Sequence, residues 1–340
     1  MDWNKLAQKY DKQGMLRYLR SFPKNIIEGA MIGKSFNVPK NKKFANIAIC
    51  GMGGSGIGGA VLKNLVKKEI RVPIEIVNDY ELPAFVNNKT LVVAVSYSGN
   101  TEEAVSCFAE AKRKKATTIA LTTGGMIAKK WKSHPYCFVI PKAFPQPRLA
   151  FSYLFTPLLI LFGKMGLIEK KEKELNLAIH SLEKHRHKIE TEAMRLALAM
   201  KGKIPVVYSQ AEFSTIAYRF CTEVNEHAKQ FCHWQFVPEM NHNEINATHE
   251  AGKTMLVLLR DKKERKKIAE RFEVSKQIWG KKKFKVVETF VEGNSLLARM
   301  LFAVWLESLA AYYLALLNRE DPMKIPSISF LKSAIKEKKG

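Results

Sequence analysis

Short apolar runs separated by longer amphipathic stretches recur along the whole chain. Residues 1–30 read as helix, with a break at Phe22-Pro23. Compact apolar runs at 46–50, 73–77, 91–95, near 117–121 and 136–140 read as strands, with helices from about residue 56 and over 101–115 between them. This β-α-β-β-α-β alternation predicts a mostly parallel sheet covered by helices. Residues 149–166 and 170–200 read as two helices, the second charged and amphipathic. The theme then returns more faintly: strand 204–209, helix 212–228, strand 254–260, helix 262–279, strand 284–290 and helix 294–317. The expected fold class is α/β, with two subdomains, 1–168 and 169–340, each a mostly parallel sheet flanked by helices.

Two turns in the first half stand out. One is Cys50-Gly-Met-Gly-Gly-Ser-Gly-Ile-Gly-Gly59, after the apolar run Asn46–Cys50; the other is Val95-Ser-Tyr-Ser-Gly-Asn-Thr-Glu-Glu103, after Leu91–Val95. Two strand–turn–helix units in a parallel sheet bring both turns to the same edge. Backbone N–H groups near Gly54, with the hydroxyls of Ser55, Ser96, Ser98 and Thr101, then converge on one anion, and phosphate fits that chemistry. The first turn also matches G-x-G-x-x-G as Gly51-Met-Gly53-Gly-Ser-Gly56, with Glu75 and Asp79 as acidic residues near the end of the next strand, so a nicotinamide site has to be weighed. That fingerprint requires neither a serine inside the turn nor a second hydroxyl-rich turn after the third strand. Helix capping by Asn100 or Thr101 explains one hydroxyl, but not three beside a glycine. Gly33-Lys-Ser35 hints at a P-loop, but the upstream glycine, Gly29, leaves the spacing one residue short and no strand precedes it.

Composition narrows the picture further. A chain of 340 residues accommodates two domains or one large α/β unit. The net charge of +24 raises the question of nucleic acid, yet the basic residues are widely spread, as in Lys262–Lys267 and Lys281–Lys283, and no basic segment is interleaved with aromatics. A lysine-rich solvated surface that attracts an anionic substrate accounts for the charge, with no specific nucleic-acid partner. Five cysteines, an odd number without C-x-x-C, argue against a disulfide framework or a zinc knuckle and suit a reducing cytoplasm. Met1–Tyr10 is polar and charged, unlike a signal peptide. Leu149–Phe162 is too short to span a bilayer, and Leu296–Leu317, interrupted by Arg299 and Glu307, reads as a core or subunit-interface helix.

Four further residues carry chemistry of interest. Arg148 closes the proline-stiffened Phe144-Pro-Gln-Pro-Arg148. Glu226, between Asn225 and His227, shares a predicted helix face with Thr222 and Lys229. His242 lies in a loop dense with polar groups, and Lys332 ends Ile328-Ser-Phe-Leu-Lys332. Taken singly, these read as a capping arginine, an exposed glutamate, a structural histidine and a tail lysine. A metal site of His242, Glu244 and His249 has loose spacing and lacks H-E-x-x-H.

The two turns resemble the sugar isomerase (SIS) domain, and the chain resembles the bifunctional phosphoglucose/phosphomannose isomerase family from Tyr10-Asp-Lys-Gln-Gly-Met15 to Leu331-Lys332. The most specific pieces are the turns, Pro147-Arg148, Asn225-Glu-His-Ala-Lys229 and Pro238-Glu-Met-Asn-His-Asn-Glu244. The resemblance implies aldose–ketose isomerisation between glucose 6-phosphate, or mannose 6-phosphate, and fructose 6-phosphate through a cis-enediol. It gives the phosphate to the turns with Gly54, Ser55, Ser96, Ser98 and Thr101. Glu226 becomes the base that moves a proton between C2 and C1, and Arg148 stabilises the enediolate. His242 opens the ring from the neighbouring subunit of a homodimer, assisted by Lys332. No metal or organic cofactor is implied. The chain departs from the family in one respect: Asp321–Lys332 has no threonine to make room for either C2 configuration. Two alternatives stand in its place: Ser327 or Ser329 as a small polar substitute, or instead Met323 or Ile325 crowding the pocket. The alternatives are a non-catalytic SIS module that binds a sugar phosphate and a nicotinamide-dependent oxidoreductase.

Overall fold

The computed structural model describes residues 1–39, 42–247 and 249–337. The chain forms two compact units, each with its own sheet, and each unit is assembled from separate stretches of sequence.

Residues 20–186 and 291–302 form the first unit. Its strands are β1 (Asn46–Cys50), β2 (Ile74–Val77), β3 (Thr90–Ser96), β4 (Thr117–Thr122) and β5 (Cys137–Val139). They pair in the order β2-β1-β3-β4-β5, parallel throughout, with Cys50 level with Ala94 and Val95 level with Leu121. All residues of β3 and β4 are buried, as expected when helices cover both faces of a parallel sheet and the strands carry continuous apolar runs. Helices Gly53–Val66 and Glu102–Arg113 follow β1 and β3, starting close to where the sequence predicts. A short helix, Gly125–Trp131, lies between β4 and β5 and is not predicted; two glycines open it, and only Ile127 of its residues is buried.

Behind the sheet, helix Phe22–Ser35 packs closely on helix Phe151–Lys164, whose residues 151–163 are all buried. The approach depends on Gly29. A Cβ there would stand 2.4 Å from the carbonyl oxygen of Ser152.

Residues 1–19, 187–290 and those from 303 onward form the second unit. Its strands are β6 (Ile204–Gln210), β7 (His233–Val237), β8 (Thr254–Asp261) and β9 (Lys285–Val291), in the order β7-β6-β8-β9. β6 runs parallel to both neighbours, with Tyr208 level with Gln235 on one side and Leu258 on the other. β7 escapes prediction because it is an edge strand in which only Val237 is buried, so no apolar run announces it. Tyr208 stacks on Trp279 at 5.3 Å and, with Leu256, Leu258 and Phe272, forms the core between sheet and helix Lys266–Lys281.

The N-terminal helix expected over 1–30 divides into Trp3–Tyr10, Met15–Arg20 and Phe22–Ser35. Asp11 makes the first break, since its carboxylate accepts from the N–H groups of Met15 and Leu16 and so caps the second helix. The start of the chain is bound to helix Leu296–Leu317. Trp305 donates to the carbonyl of Leu19 at 2.7 Å, Tyr312 donates to Asp11, and Trp3 meets Tyr313 edge-on. Leu296–Leu317 is long and apolar enough to cross a membrane, but its apolar 18-residue window is wholly buried inside the protein.

Gly29→Ala should destabilise the protein by about 1–3 kcal/mol, the usual cost of forcing a methyl into a filled contact. Denaturant melts would show this as a lowered midpoint; an unchanged midpoint would show that the two helices separate freely.

Candidate active site

Parallel pairing of β1 and β3 brings the turns after Cys50 and Ser96 side by side, as predicted. Hydrogen bonds then tie the two together. The N–H of Tyr97, in the second turn, donates to Ser55 Oγ, in the first, at 3.0 Å. The Tyr97 hydroxyl donates to the carbonyl of Phe144 and accepts from its N–H, both at 2.8 Å, and so holds the start of the loop that leads to Arg148. Arg148 lies in the 3-10 turn Pro147–Ala150 with its side chain buried and Nη1 3.5 Å from Gln146 Oε1. The backbone of that turn rests on Gly54, where a Cβ would fall 2.6 Å from the Arg148 nitrogen. The glycine is therefore a seat for Arg148 as well as part of the turn expected to hold an anion.

The hydroxyls of the second turn have different surroundings. Ser96 is fully buried; it accepts from the N–H of Gly99 at 3.1 Å and donates to Thr101 Oγ1 at 2.9 Å. Ser98 is exposed and accepts from the N–H of Asn100, and Thr101 is half-buried. Thr101 occupies the N-cap position of helix Glu102–Arg113, yet among the described residues its side chain makes no capping bond. The hydroxyl that capping would explain is thus engaged by Ser96. Asn100 Oδ1 accepts from the N–H of Met126, bracing the turn from below.

Glu226, His242 and Lys332 belong to the other unit, on three different elements. Glu226 is half-buried near the end of helix Ser214–Ala228. The helix stops at Lys229, which is left-handed at φ 52°; its ammonium group donates to the carbonyls of His227 and Asp321. His242 is exposed at the end of the turn Glu239–His242, and Lys332 is exposed on helix Pro326–Glu337. Glu244, weighed above as a metal ligand, accepts from the Tyr208 hydroxyl at 2.9 Å and lies 3.2 Å from His233 Nε2, so it pins the polar loop to β6 and β7.

A buried ionic cluster on the Glu226 helix is absent from the sequence expectations. Arg219, Glu223 and His227 form one stripe at four-residue spacing. Arg219 Nη2 lies 3.0 Å from Glu223 Oε1, and Glu223 Oε2 lies 3.2 Å from His227 Nε2. Arg219 Nη1 donates to Glu307 Oε1 at 2.6 Å and to Ser308 Oγ at 2.8 Å. Burial pushes the Glu307 carboxyl well above the usual carboxylate range; Arg219 opposes this and the charge of Glu223 adds to it. The charge of Glu226 also reaches Arg219 and favours its ionised form. A signal was present in the sequence, because a glutamate inside an apolar helix requires a buried partner.

A SIS domain model matches residues 41–143, and a model of the bacterial phospho-glucose isomerase C-terminal SIS domain matches 189–335. The first match contains β1–β5 and the second contains β6–β9. The chain is 34% identical over 336 residues to a bifunctional phosphoglucose/phosphomannose isomerase of Caldicellulosiruptor bescii, covering 95% of this chain and 99% of that one. The chain belongs to the bifunctional phosphoglucose/phosphomannose isomerase family. A member from Thermoplasma volcanium is also 34% identical, over 89% of this chain and 94% of its own. The C-terminal domain of glucosamine-fructose-6-phosphate aminotransferase from Francisella tularensis superposes with a TM-score of 0.72 over 91% of this chain and 98% of its own; at 14% identity that likeness shows the fold. Membership over nearly the full length of the chain favours a sugar-phosphate isomerase over a nicotinamide enzyme or a non-catalytic binding module.

The raised Glu307 pKa has a consequence for stability. A group of this kind contributes its stability below its unfolded pKa, near 4.5, and loses it as pH rises toward the folded value. Glu307→Gln cannot ionise. The melting temperature of the variant relative to wild type should therefore climb as pH rises above 4.5. A difference that stays flat with pH would show that Glu307 is ionised in the fold.

Proposed function

We propose that the protein interconverts glucose 6-phosphate and mannose 6-phosphate with fructose 6-phosphate through a cis-enediol. The observation that carries the proposal is the bonded frame of two hydroxyl-bearing turns with Arg148 seated on Gly54, in a chain of this family. The phosphate rests on the backbone at Gly54 and Ser55 and on the hydroxyls of Ser98 and Thr101. Ser96 donates to Thr101 Oγ1, which leaves the Thr101 proton to turn toward a phosphate oxygen. His242 and Lys332 assist ring opening. Glu226 takes the C2 proton and returns it to C1, and the fixed charge of Arg148 stabilises the enediolate oxygen. Loss of the C2 proton erases the configuration at that carbon, so both aldoses meet in one intermediate. No step calls on a metal or an organic cofactor. The proposed setting is the cytoplasm.

The test is a coupled assay with both aldoses. Glu226→Gln keeps the shape of the side chain but cannot accept a proton. Turnover should fall by about 10²–10⁴ with either epimer while sugar-phosphate binding survives. A variant with near wild-type turnover would remove Glu226 from the mechanism. Without the family threonine, the two epimers should differ in efficiency, but by less than the roughly four decades that pocket packing alone does not supply.

The working form is proposed to be a homodimer in which the exposed His242 completes the neighbour's site. Glu226→Gln and His242→Ala subunits, each inactive alone, should regain activity when mixed, because some mixed dimers then hold one intact site. Failure to recover after verified subunit exchange would place His242 in the site of its own chain.

A further inference from the structure

Two of the five cysteines have no part in the chemistry proposed above. Cys221 is buried on helix Ser214–Ala228, and Cys232 is partly exposed just before β7. Their sulfurs are 2.9 Å apart. A disulfide bond measures about 2.05 Å, so the two sulfurs need less than about 1 Å of further approach to bond. The segment they bracket contains Glu226 and the left-handed turn at Lys229 that ends the helix. A second pair, Cys50 and Cys107, is also in contact, but both residues are fully buried and neither is open to a reagent. Cys232 differs in offering a sulfur at the surface beside a buried partner.

We propose that Cys221 and Cys232 form a reversible disulfide site, which when oxidised staples the end of the Glu226 helix to the start of β7. The oxidant is a small-molecule disulfide. The Cys232 thiolate attacks it, breaks its S–S bond and releases one thiol, leaving a mixed disulfide on Cys232. The Cys221 sulfur then attacks the Cys232 sulfur, loses its proton to solvent and expels the second thiol. One small disulfide is reduced to two thiols, and two cysteine thiols are oxidised to one disulfide. Burial pushes the Cys221 thiol far up, which shields it from direct oxidation and makes its attack the slow step, faster in alkali. The bridge closes a short loop in the unfolded chain and so stabilises the folded one. The proposal is independent of the catalytic assignment.

The experiment treats wild-type protein with oxidised glutathione at pH 8, alkylates it in denaturant, and maps the peptides without reduction. The expected result is a linked 221/232 peptide lighter by two hydrogens, with alkylated cysteines falling from five to three and returning to five after dithiothreitol. The oxidised protein should melt a few degrees higher than the reduced one, a rise missing from Cys232→Ser. Five alkylated cysteines after treatment, a link through any other pair, or glutathione left on Cys232 with Cys221 still a thiol would each overturn the proposal.

Discussion

Parallel pairing of β1 with β3 is the constraint from which the frame of the candidate site follows. The register that sets Cys50 level with Ala94 releases both chains from the same edge of the sheet, so the Gly51 and Ser96 turns begin as neighbours. Ser55 then reaches the N–H of Tyr97, Tyr97 reaches Phe144, and the loop from Phe144 returns Arg148 to Gly54. Each link presupposes the one before it. A slip of one residue between β1 and β3 would turn every side chain to the opposite face and separate the turns.

Burial also explains which elements could be read from the sequence. β1, β3 and β4 are inner strands, and their unbroken apolar runs mark them clearly. β7 sits at an edge, and its His-Trp-Gln-Phe-Val sequence is half-exposed, so its only cause is pairing with β6. Helix Gly125–Trp131 begins in glycines and is too short for periodicity to emerge. The attachment of the first nineteen residues to the second unit rests on contacts such as Trp305 with Leu19, which join residues nearly three hundred positions apart. Local pattern carries no trace of such a contact.

The same holds within the candidate site. Hydroxyl spacing identified the second turn, but Ser96 and Ser98 look alike in sequence, and only burial separates the one that shapes the turn from the one that faces solvent. The glycine fingerprint located the first turn without showing that one of its glycines seats an arginine. Cys221 and Cys232, eleven residues apart around a helix end, match no spacing motif; the helix C-terminus folds them together.

Two devices fix the candidate side chains in this protein. In the first unit the device is close backbone approach, in which a missing Cβ lets one turn rest on another. In the second it is buried charge. Glu223 and Glu226 are three residues apart on one helix, yet Glu223 is locked to Arg219 in the interior while Glu226 is left at the rim. Removing one partner of such a cluster strands a charge in the interior, so the cluster resists any shift of the helix that would part its members. Glu307 fits this arrangement: it offers Arg219 an acceptor, and burial together with the charge of Glu223 raises its pKa, so it takes on charge less readily than an exposed carboxyl. The half-buried Glu226 therefore stands on a helix held in place by the ionic contacts beneath it, which is the rigidity that the proton transfer proposed for it requires.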